Sequence, residues 1–383
     1  MTQTAECLPD QRHLFDMPHD VTYFNCAYLS PQAQPVREAG LAALDRKSKP
    51  WDVFPNHFYD ESDELRAQFA TMIGAQPGDI ALVPSASYGI GIAAKNLPVT
   101  AGQQILVLED QFPSNYYPWV ARAQETGAEM VVIPRPADGD WTQAILARLN
   151  EQTAIAALPN CHWTDGSLVD LETIGERCRD LGTALVVDAT QSLGAYPFDV
   201  KKVQPAFLAV AGYKWLLGPY SVGFLYADPA WQQGEPLEYN WITREGSDDF
   251  ASLVSYTDRL MPDASRFDMG ERSNFNLLPM TLAAITLING WGVDRISATL
   301  GAFNRELAEG AAQLGFQTAP EHLRAPHLMG LRHPDGLPTT LAAALKDRQI
   351  FVSVRGDAIR VSPYLYNTVE ERTHFLNTLA DLL

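Results

Sequence analysis

The sequence predicts an α/β fold: a large domain with a mostly parallel, seven-stranded sheet sandwiched by helices, followed by a smaller α+β domain. Seven short apolar segments occur in the first two-thirds of the chain, and helical patterns lie between or beside them. Such short apolar runs are typical of strands buried on both faces, and their alternation with helices is typical of a parallel sheet. The predicted strands are residues 79–83, 104–108, 129–133, 154–158, 184–187, 207–210 and 222–226.

Helices are predicted among these strands, and the pattern changes near residue 277. The helical patterns in the first part cover residues 62–73, 119–126, 141–149 and 171–181. The later part predicts helices at 278–291, 296–314 and 369–382, with strands near 325–332 and 350–354. We interpret residues 20–267 as the large domain and 268–383 as the small C-terminal domain, against which residues 1–19 are expected to pack.

The composition argues against several classes of function. The chain of 383 residues is 46% hydrophobic and 19% charged, which is typical of a globular protein. Its net charge of −18 repels phosphate backbones, so we expect no nucleic-acid partner. We identify no signal peptide or membrane-spanning run, and the four cysteines show neither metal-ligand nor disulfide spacing. These features predict a cytoplasmic protein with reduced thiols, no metal and no membrane partner.

An acid and an amine follow two of the predicted strands. Asp188 ends the segment Leu-Val-Val-Asp, and Lys214 follows the strand at 207–210. Ligands of open α/β sheets bind beyond the carboxyl ends of the strands, so we expect both side chains in one site. Pyridoxal phosphate (PLP) enzymes use such a pair, because the lysine forms a Schiff base with the aldehyde and the aspartate keeps the pyridine nitrogen protonated. The alternative is a surface lysine and a turn aspartate.

Two further strand ends carry candidate cofactor ligands. Ser85, Ala86 and Ser87 follow the first predicted strand and begin a helix, where hydroxyl and free N–H groups suit a phosphate. The alternative is an ordinary helix N-cap. Phe112 follows the next strand and could stack on a flat cofactor ring, although the residue taken alone favours a core aromatic at a strand-to-helix turn.

Candidates for hydrogen bonds to the cofactor follow one further strand, at 154–158, and the two strands that precede Asp188 and Lys214. Asn160, His162 or Thr164 could bind the phenolic oxygen of the ring, and Gln191 is a second candidate for that oxygen. His162 could instead be a turn histidine whose ring nitrogens are satisfied by the protein. Tyr213, directly before Lys214, could donate its hydroxyl to the phosphate.

Arg360 is the candidate for substrate binding in the predicted small domain. Arginine binds carboxylates through two parallel hydrogen bonds, and an amino acid substrate has a carboxylate to be held. Arg355 is a weaker competitor for this role. The alternative for Arg360 is a surface salt bridge.

With these residues identified, the chain resembles the class V aminotransferase family of PLP enzymes, which are fold type I PLP-dependent transferases. The resemblance extends from Tyr23-Phe24-Asn25 to Tyr366-Asn367-Thr368. It implies that Lys214 is the Schiff-base lysine, Asp188 the partner of the pyridine nitrogen and Gln191 a neighbour of the phenolic oxygen. It also implies that Phe112 stacks on the ring and that Arg360 binds the substrate carboxylate.

The same resemblance implies the remaining site residues and a homodimer. Ser85 to Ser87 match the phosphate loop, Trp241 matches a tryptophan on the phosphate side in kynureninase, and Asn25 is assigned to substrate binding. Gly270 begins a loop, residues 270–274, that reaches the phosphate of the neighbouring subunit in the family. The threonine usually found after that glycine is Glu271 here, so we expect Ser273 or Asn274 to make the contact.

The implied function is that of a PLP-dependent enzyme acting on an amino acid, and an aminotransferase is the leading hypothesis. A C–S or C–C lyase and an epimerase are alternatives in the same family, and a non-catalytic PLP-fold binding protein is an alternative of another class. Cysteine desulfurases carry a reactive cysteine late in the small domain, but no cysteine lies between residues 321 and 383. A desulfurase that forms a persulfide is therefore not expected.

Overall fold

The computed structural model describes residues 6–383, in which a seven-stranded sheet is covered by helices. The strands are β1 (Thr22–Tyr23), β2 (Ile80–Val83), β3 (Gln104–Leu108), β4 (Glu129–Ile133), β5 (Thr153–Pro159), β6 (Ala184–Asp188), β7 (Phe207–Ala211), β8 (Gly223–Ala227), β9 (Met329–Arg332), β10 (Ile350–Phe351), β11 (Ser353–Arg355) and β12 (Ala358–Val361). The helices are α1 (Gln34–Lys47), α2 (Asp60–Ile73), α3 (Ala86–Asn96), α4 (Tyr117–Thr126), α5 (Trp141–Leu146), α6 (Leu171–Leu181), α7 (Val200–Val203), α8 (Leu277–Trp291), α9 (Val293–Gln313), α10 (Leu341–Asp347) and α11 (Val369–Leu382).

The central sheet has the strand order β2-β8-β7-β6-β5-β3-β4. Strands β7, β6, β5, β3 and β4 are parallel to one another, while β8 is antiparallel to both of its neighbours. The predicted α/β class and the mostly parallel seven-stranded sheet are confirmed. Since β2 and β7 both oppose β8, they run in the same direction, and their carboxyl ends reach the same edge of the sheet.

In the inner strands of the central sheet, alternate residues pack into two different hydrophobic cores, which explains why these strands are mostly apolar. On β3, Leu106 and Leu108 lie in one core, and Ile105 and Val107 lie in the other. Successive side chains of a strand point to opposite faces, so a sheet with helices on both sides needs apolar residues at every position. The first core includes residues of α2 and α8, and the second includes residues of α3 and α4.

Strand register brings the candidate residues to one edge. Asp188 pairs with Pro159 of β5 on one side and with Ala209 of β7 on the other. Val83 of β2 and Ala211 of β7 both pair with Gly223 of β8. The segments that follow β2, β6 and β7 therefore leave the sheet at the same edge, where this fold class binds ligands, with β8 between β2 and β7.

The C-terminal part has its own small sheet and hydrophobic core. Strands β11, β12 and β9 form an antiparallel sheet, and β10 pairs in parallel with β1 from the start of the chain. Gln11 donates its backbone N–H to Leu365 O (2.9 Å), and Arg12 pairs with Glu371 (2.6 Å). Gln11 and Arg12 thus contact this part of the chain, while residues 1–5 of the segment expected to pack there lie outside the described residues. The predicted division at residues 20 and 268 stays a prediction.

Among residues 6–383, no single helix is long and apolar enough to cross a membrane. Within the described residues, the pair α8 and α9 taken together has sufficient length and apolar composition, and the axes of the two helices differ by 74°.

Candidate active site

Lys214 lies in the wall of a cavity of about 570 Å³ at the carboxyl edge of the central sheet. Six residues named from the sequence as candidate cofactor or substrate ligands line it, namely Phe112, Gln191, Tyr213, Lys214, Arg355 and Arg360. A smaller adjoining cavity shares Phe112, Gln191 and Lys214 with the first, and Asp188 lines it. The acid and the amine that follow two separate strands are thus brought to one site.

The backbone around Lys214 is held by a closed loop between β7 and β8. Gly212 donates to Val222 O (2.8 Å), and Gly218 donates to Gly212 O (2.9 Å). A Cβ on Gly212 would lie 2.7 Å from Val222 O, so a side chain there would push the two segments apart. Leu217 has a φ of 55° within this loop, which is unusual for a residue other than glycine. Such fixation keeps the lysine at a defined position.

Burial sets the charge of Lys214. The residue is 6% exposed, and burial lowers the pKa of its ammonium to about 8. The positive charge of Arg360 lowers the pKa as well, while the carboxylate of Asp188 raises it. The Nζ atom is 5.4 Å from the ring centroid of Phe112. A substantial fraction of this amine is therefore neutral near pH 7–8, as a nucleophile or base requires.

Asp188 is a buried carboxylate at the end of β6. It is 7% exposed, burial raises its pKa, and its Oδ1 accepts a hydrogen bond from the backbone N–H of Thr190 (3.0 Å). The Thr190 hydroxyl in turn accepts from the N–H of Ala211 (3.2 Å), which connects the turn after β6 to the end of β7. None of the lysines and arginines in residues 6–383 forms a salt bridge with Asp188. A protonated pyridine nitrogen would supply the missing positive partner.

Arg360 brings an uncompensated positive charge to the same cavity. It is 2% exposed on β12, and its Nη1 donates to the backbone oxygen of Trp163 (2.9 Å). Burial, together with the positive charge of Arg355, lowers the pKa of its guanidinium to about 10. Its Nε atom is buried and has no hydrogen-bond partner among the described residues, and no carboxylate among them forms a salt bridge with this side chain. An anionic ligand would satisfy both requirements.

Gln191 lines the cavity, but its amide already has protein partners. Its Oε1 accepts from the indole N–H of Trp215 (2.9 Å), and its Nε2 donates to Ala27 O (3.1 Å). Its backbone oxygen bonds Nε2 of the buried His327 (2.6 Å). The residue therefore connects the turn after β6, the lysine loop and an early segment of the chain.

The structure places His162 and Thr164 outside the two cavities next to Lys214. The His162 ring stacks on Trp141 with centroids 5.4 Å apart, and its Nδ1 lies 2.7 Å from the Thr164 hydroxyl. Its Nε2 bonds Glu109 O (3.2 Å), and burial lowers the pKa of the imidazole. Both ring nitrogens of His162 therefore have hydrogen-bond partners within the protein, so the residue is a turn histidine, as in the alternative to cofactor binding.

Trp163, which the sequence reasoning did not select, is the residue of this turn that faces the cavity. Its ring meets Phe112 edge-on at 5.5 Å, and its indole N–H donates to Asp110 O (2.6 Å). In the sequence, the signal that could have identified Trp163 as a cavity residue is its position between His162 and Thr164, directly after a buried strand. Tyr28, Leu29 and Tyr220 also line the cavity, and no pattern in the sequence indicated them.

Ser85, Ala86 and Ser87 begin α3 at the same edge of the sheet. The Ser85 hydroxyl accepts from the N–H of Tyr88 (3.2 Å) and lies 2.8 Å from the Ser87 hydroxyl. Ser85 is thus the N-cap of the helix, which is the alternative considered from the sequence. A phosphate role for this turn stays a prediction.

Trp241 and the loop at residues 270–274 lie together, apart from the Lys214 cavity. They line a separate cavity of about 450 Å³ with Phe58, whose ring contacts the Trp241 ring at 5.8 Å. Asn25 lines none of these cavities, and its Oδ1 accepts from the Ser353 hydroxyl (2.8 Å). Within one chain, therefore, these predicted ligands are not brought to Lys214.

The chain matches the family model described as Aminotransferase class-V over residues 51–374. It belongs to that family. An uncharacterized aminotransferase, YcbU, of Bacillus subtilis (strain 168) is 28% identical over 98% of both chains. A probable cysteine desulfurase of Pyrococcus abyssi (strain GE5 / Orsay) is 24% identical over 98% of this chain and 97% of the relative.

A solved structure shares the fold over almost the whole length. It is a mutant of C-DES with glycine covalently linked to its PLP cofactor, with a TM-score of 0.86, 22% sequence identity, and coverage of 98% of this chain and 100% of that one. The predicted family, its enzymatic nature and PLP as its cofactor are confirmed. The buried Asp188, which lacks a cation, and the buried amine of Lys214 fit that cofactor.

Proposed function

We propose that the protein is an aminotransferase that removes the amino group of an amino acid, with Lys214 as its acid–base group. The observation that carries the proposal is the placement of Lys214 beside both Asp188 and the unpaired guanidinium of Arg360. Bound PLP supplies an electron sink that stabilises negative charge at the substrate Cα. The protein residues then have to bind the substrate, orient it and move one proton.

Each of these tasks has a candidate residue in the cavity. The Arg360 guanidinium binds the substrate carboxylate and so fixes the orientation of the bonds at Cα. The neutral amine of Lys214 accepts the Cα proton, and Asp188 stabilises positive charge on the cofactor nitrogen. Phe112 and Trp163 form an apolar wall that keeps water from the reacting atoms.

The cavity favours a reaction with a single base. Among the described residues that line it, Lys214 is the one amine, and burial lowers its pKa to about 8, while the other polar side chains are tyrosine hydroxyls, an amide and two arginines. A single base on one face suffices to move a proton from Cα to the cofactor, as transamination requires, whereas epimerisation with two bases needs a second one on the opposite face. Burial also raises the pKa of the Cys26 and Cys161 thiols, which argues against a persulfide-forming cysteine next to Lys214.

The test is to identify the product formed from an amino acid in the absence of a keto-acid acceptor. The protein loaded with PLP is mixed with a panel of amino donors, and the pyridoxamine form, pyruvate, alanine, sulfide and the stereochemistry of recovered substrate are measured. Accumulation of the pyridoxamine form with one keto acid per site supports transamination. Release of pyruvate, alanine or sulfide over many turnovers would show a lyase, inverted substrate an epimerase, and no reaction across the panel a binding protein.

We further propose that the protein is a cytoplasmic homodimer. Support comes from the loop at residues 270–274 and Trp241, which lie together but away from the Lys214 cavity of their own chain. In a dimer of the kind that the family resemblance implies, this surface would complete the site of the neighbouring subunit. Sedimentation equilibrium tests the proposal, since a monomeric protein that still binds PLP would contradict it.

A further inference from the structure

The Lys214 cavity contains a second arginine, Arg355, which the proposed roles leave unused. Arg355 ends β11 and Arg360 lies on β12, and these two strands form an antiparallel hairpin. Arg360 pairs with Ser353, two residues before Arg355, so both arginines project from the same face of the hairpin as diagonal neighbours. Diagonal pairs of this kind are about 7–8 Å apart, within reach of long side chains.

The two arginines lie at different depths. Arg360 is 2% exposed and Arg355 is half-buried. The Arg355 guanidinium lies 5.8 Å from the ring centroid of Trp163, and its Nη1 donates to the adjacent backbone oxygen of Val354 (2.9 Å). Arg355 therefore stands nearer the mouth of the cavity than Arg360, with its position set by the indole ring.

Nearby carboxylates are occupied by other arginines. Asp165 pairs with Arg135 (2.7 Å) and Arg332 (2.9 Å), and Asp357 pairs with Arg332 (3.0 Å). In the part of the chain that the structure describes, neither Arg355 nor Arg360 forms a salt bridge. Two guanidinium groups that face one cavity without a carboxylate repel each other, so a ligand with two negative groups would relieve the repulsion and desolvation of both.

From this pair we infer that the substrate is an amino acid with an acidic side chain, whose α-carboxylate binds Arg360 and whose side-chain carboxylate binds Arg355. The inference extends the proposed function and rests on it, because the bound amino acid is a substrate only if the protein is the proposed enzyme. Diagonal positions about 7–8 Å apart on the hairpin suit carboxylates joined by a short carbon chain, as in the dicarboxylic amino acids.

Binding of unreactive carboxylates tests the inference without any reaction. Glutarate and pentanoate have the same number of carbon atoms, and they differ in the second carboxylate. Isothermal titration of the PLP-loaded protein should give about ten-fold tighter binding of glutarate, as expected for one additional charged hydrogen-bonded pair. Arg355→Gln should lose that preference and change pentanoate affinity by less than about two-fold. Arg355→Lys should retain part of the preference because it keeps the charge.

Arg348→Gln is the matched control, because Arg348 lies on the surface of the same part of the chain and donates to Ala344 O. It removes the same charge and should leave both affinities unchanged. Equal weakening of both ligands by Arg355→Gln would show that Arg355 only assists Arg360 on one carboxylate, and would overturn the inference. Absence of a glutarate preference, or of any binding, in the wild-type protein would overturn it as well. A protein that binds glutarate selectively but transfers no amino group would refute the proposed function alone.

Discussion

At the scale of the residue, the site consists of buried charged groups with few partners of opposite charge. Lys214, Asp188 and Arg360 are each at most 7% exposed, and no salt bridge joins any of them to another described residue. Burying an unpaired charge costs free energy, so their retention in one cavity indicates groups that the cofactor and substrate complete.

The first prediction concerns the pH dependence of cofactor uptake. Only the neutral amine of Lys214 attacks the aldehyde, so the rate at which cofactor-free protein binds PLP covalently should rise with pH and level off above a midpoint near 8. Asp188→Asn removes a negative charge that raises this pKa, so the midpoint should fall. Stopped-flow absorbance measures the rate, and a midpoint near the ordinary value of 10.5 would show that burial does not depress the pKa.

The second prediction concerns the arginine on β12. Arg360→Gln should raise the half-saturating concentration of the amino donor by about 10- to 100-fold, because a charged hydrogen-bonded pair contributes about 1.5–3 kcal/mol. The half-reaction with the amino donor is followed by absorbance. Arg360→Lys should recover part of the loss, and an unchanged donor affinity in Arg360→Gln would exclude Arg360 from carboxylate binding.

Some residue roles could be predicted from the sequence, and others depended on distant contacts. Lys214 and Asp188 were found because each follows a recognisable buried strand at the ligand-binding edge. The orientation of the turn around Trp163 could not be derived locally, since the stacking of His162 on Trp141 and its bond to Glu109 O decide which side chain faces inward.

At the scale of the element, the turns after β6 and β7 determine the position of Lys214. Gly194 has a φ of 96°, and a Cβ there would lie 2.3 Å from the backbone oxygen of Trp215, the residue after the lysine. A side chain at Gly194 would therefore displace the lysine loop as well as strain the backbone.

The third prediction uses this contact. Gly194→Ala should lower the free energy of unfolding by about 4 kcal/mol, the sum of left-handed strain and a steric clash, and should weaken PLP binding. Gly182→Ala is the control, because Gly182 has a φ of 71° with open space around its Cβ position, and only about 1–2 kcal/mol is expected. Chemical denaturation measures the free energy of unfolding of both variants. Equal losses would show that the backbone at Trp215 moves to make room for a side chain at Gly194.

Elements of the central sheet were predictable because each strand is a continuous apolar run between turns. The short strands were not: β1 has two residues, and its pairing with β10 depends on a segment more than 300 positions away in the chain. The strand predicted at 350–354 is divided between β10 and β11, and β12, which carries Arg360, was not predicted as a strand.

At the scale of the whole molecule, the cavity is assembled from three regions of the fold: an early segment, the carboxyl edge of the central sheet and the C-terminal hairpin. Ala27 to Leu29 come from the early segment, Lys214 from the sheet edge, and Arg355 with Arg360 from the C-terminal hairpin. Substrate binding therefore requires these regions to be packed together. The full set of residues that line the cavity is given by the tertiary fold and not by any local sequence pattern.

The fourth prediction concerns association of two chains. Leu41 and Leu44 of α1 are exposed on one face of the helix, which a dimer interface would bury. Leu44→Glu should shift the protein from dimer to monomer and weaken PLP binding, as sedimentation and absorbance would show. Val369→Glu, at the exposed first position of α11, should leave the dimer intact. If both variants had the same oligomeric state and the same PLP affinity, the exposed face of α1 would not be the dimer interface.

The most direct test of the central claim is to identify the lysine that binds PLP. The protein loaded with PLP is reduced with borohydride, which fixes the Schiff base, and is then digested and analysed by mass spectrometry. We expect the pyridoxyl group on Lys214, and no labelled peptide from Lys214→Ala treated in the same way. A label on another lysine, or none in the wild-type protein, would contradict the assignment of this cavity as the active site.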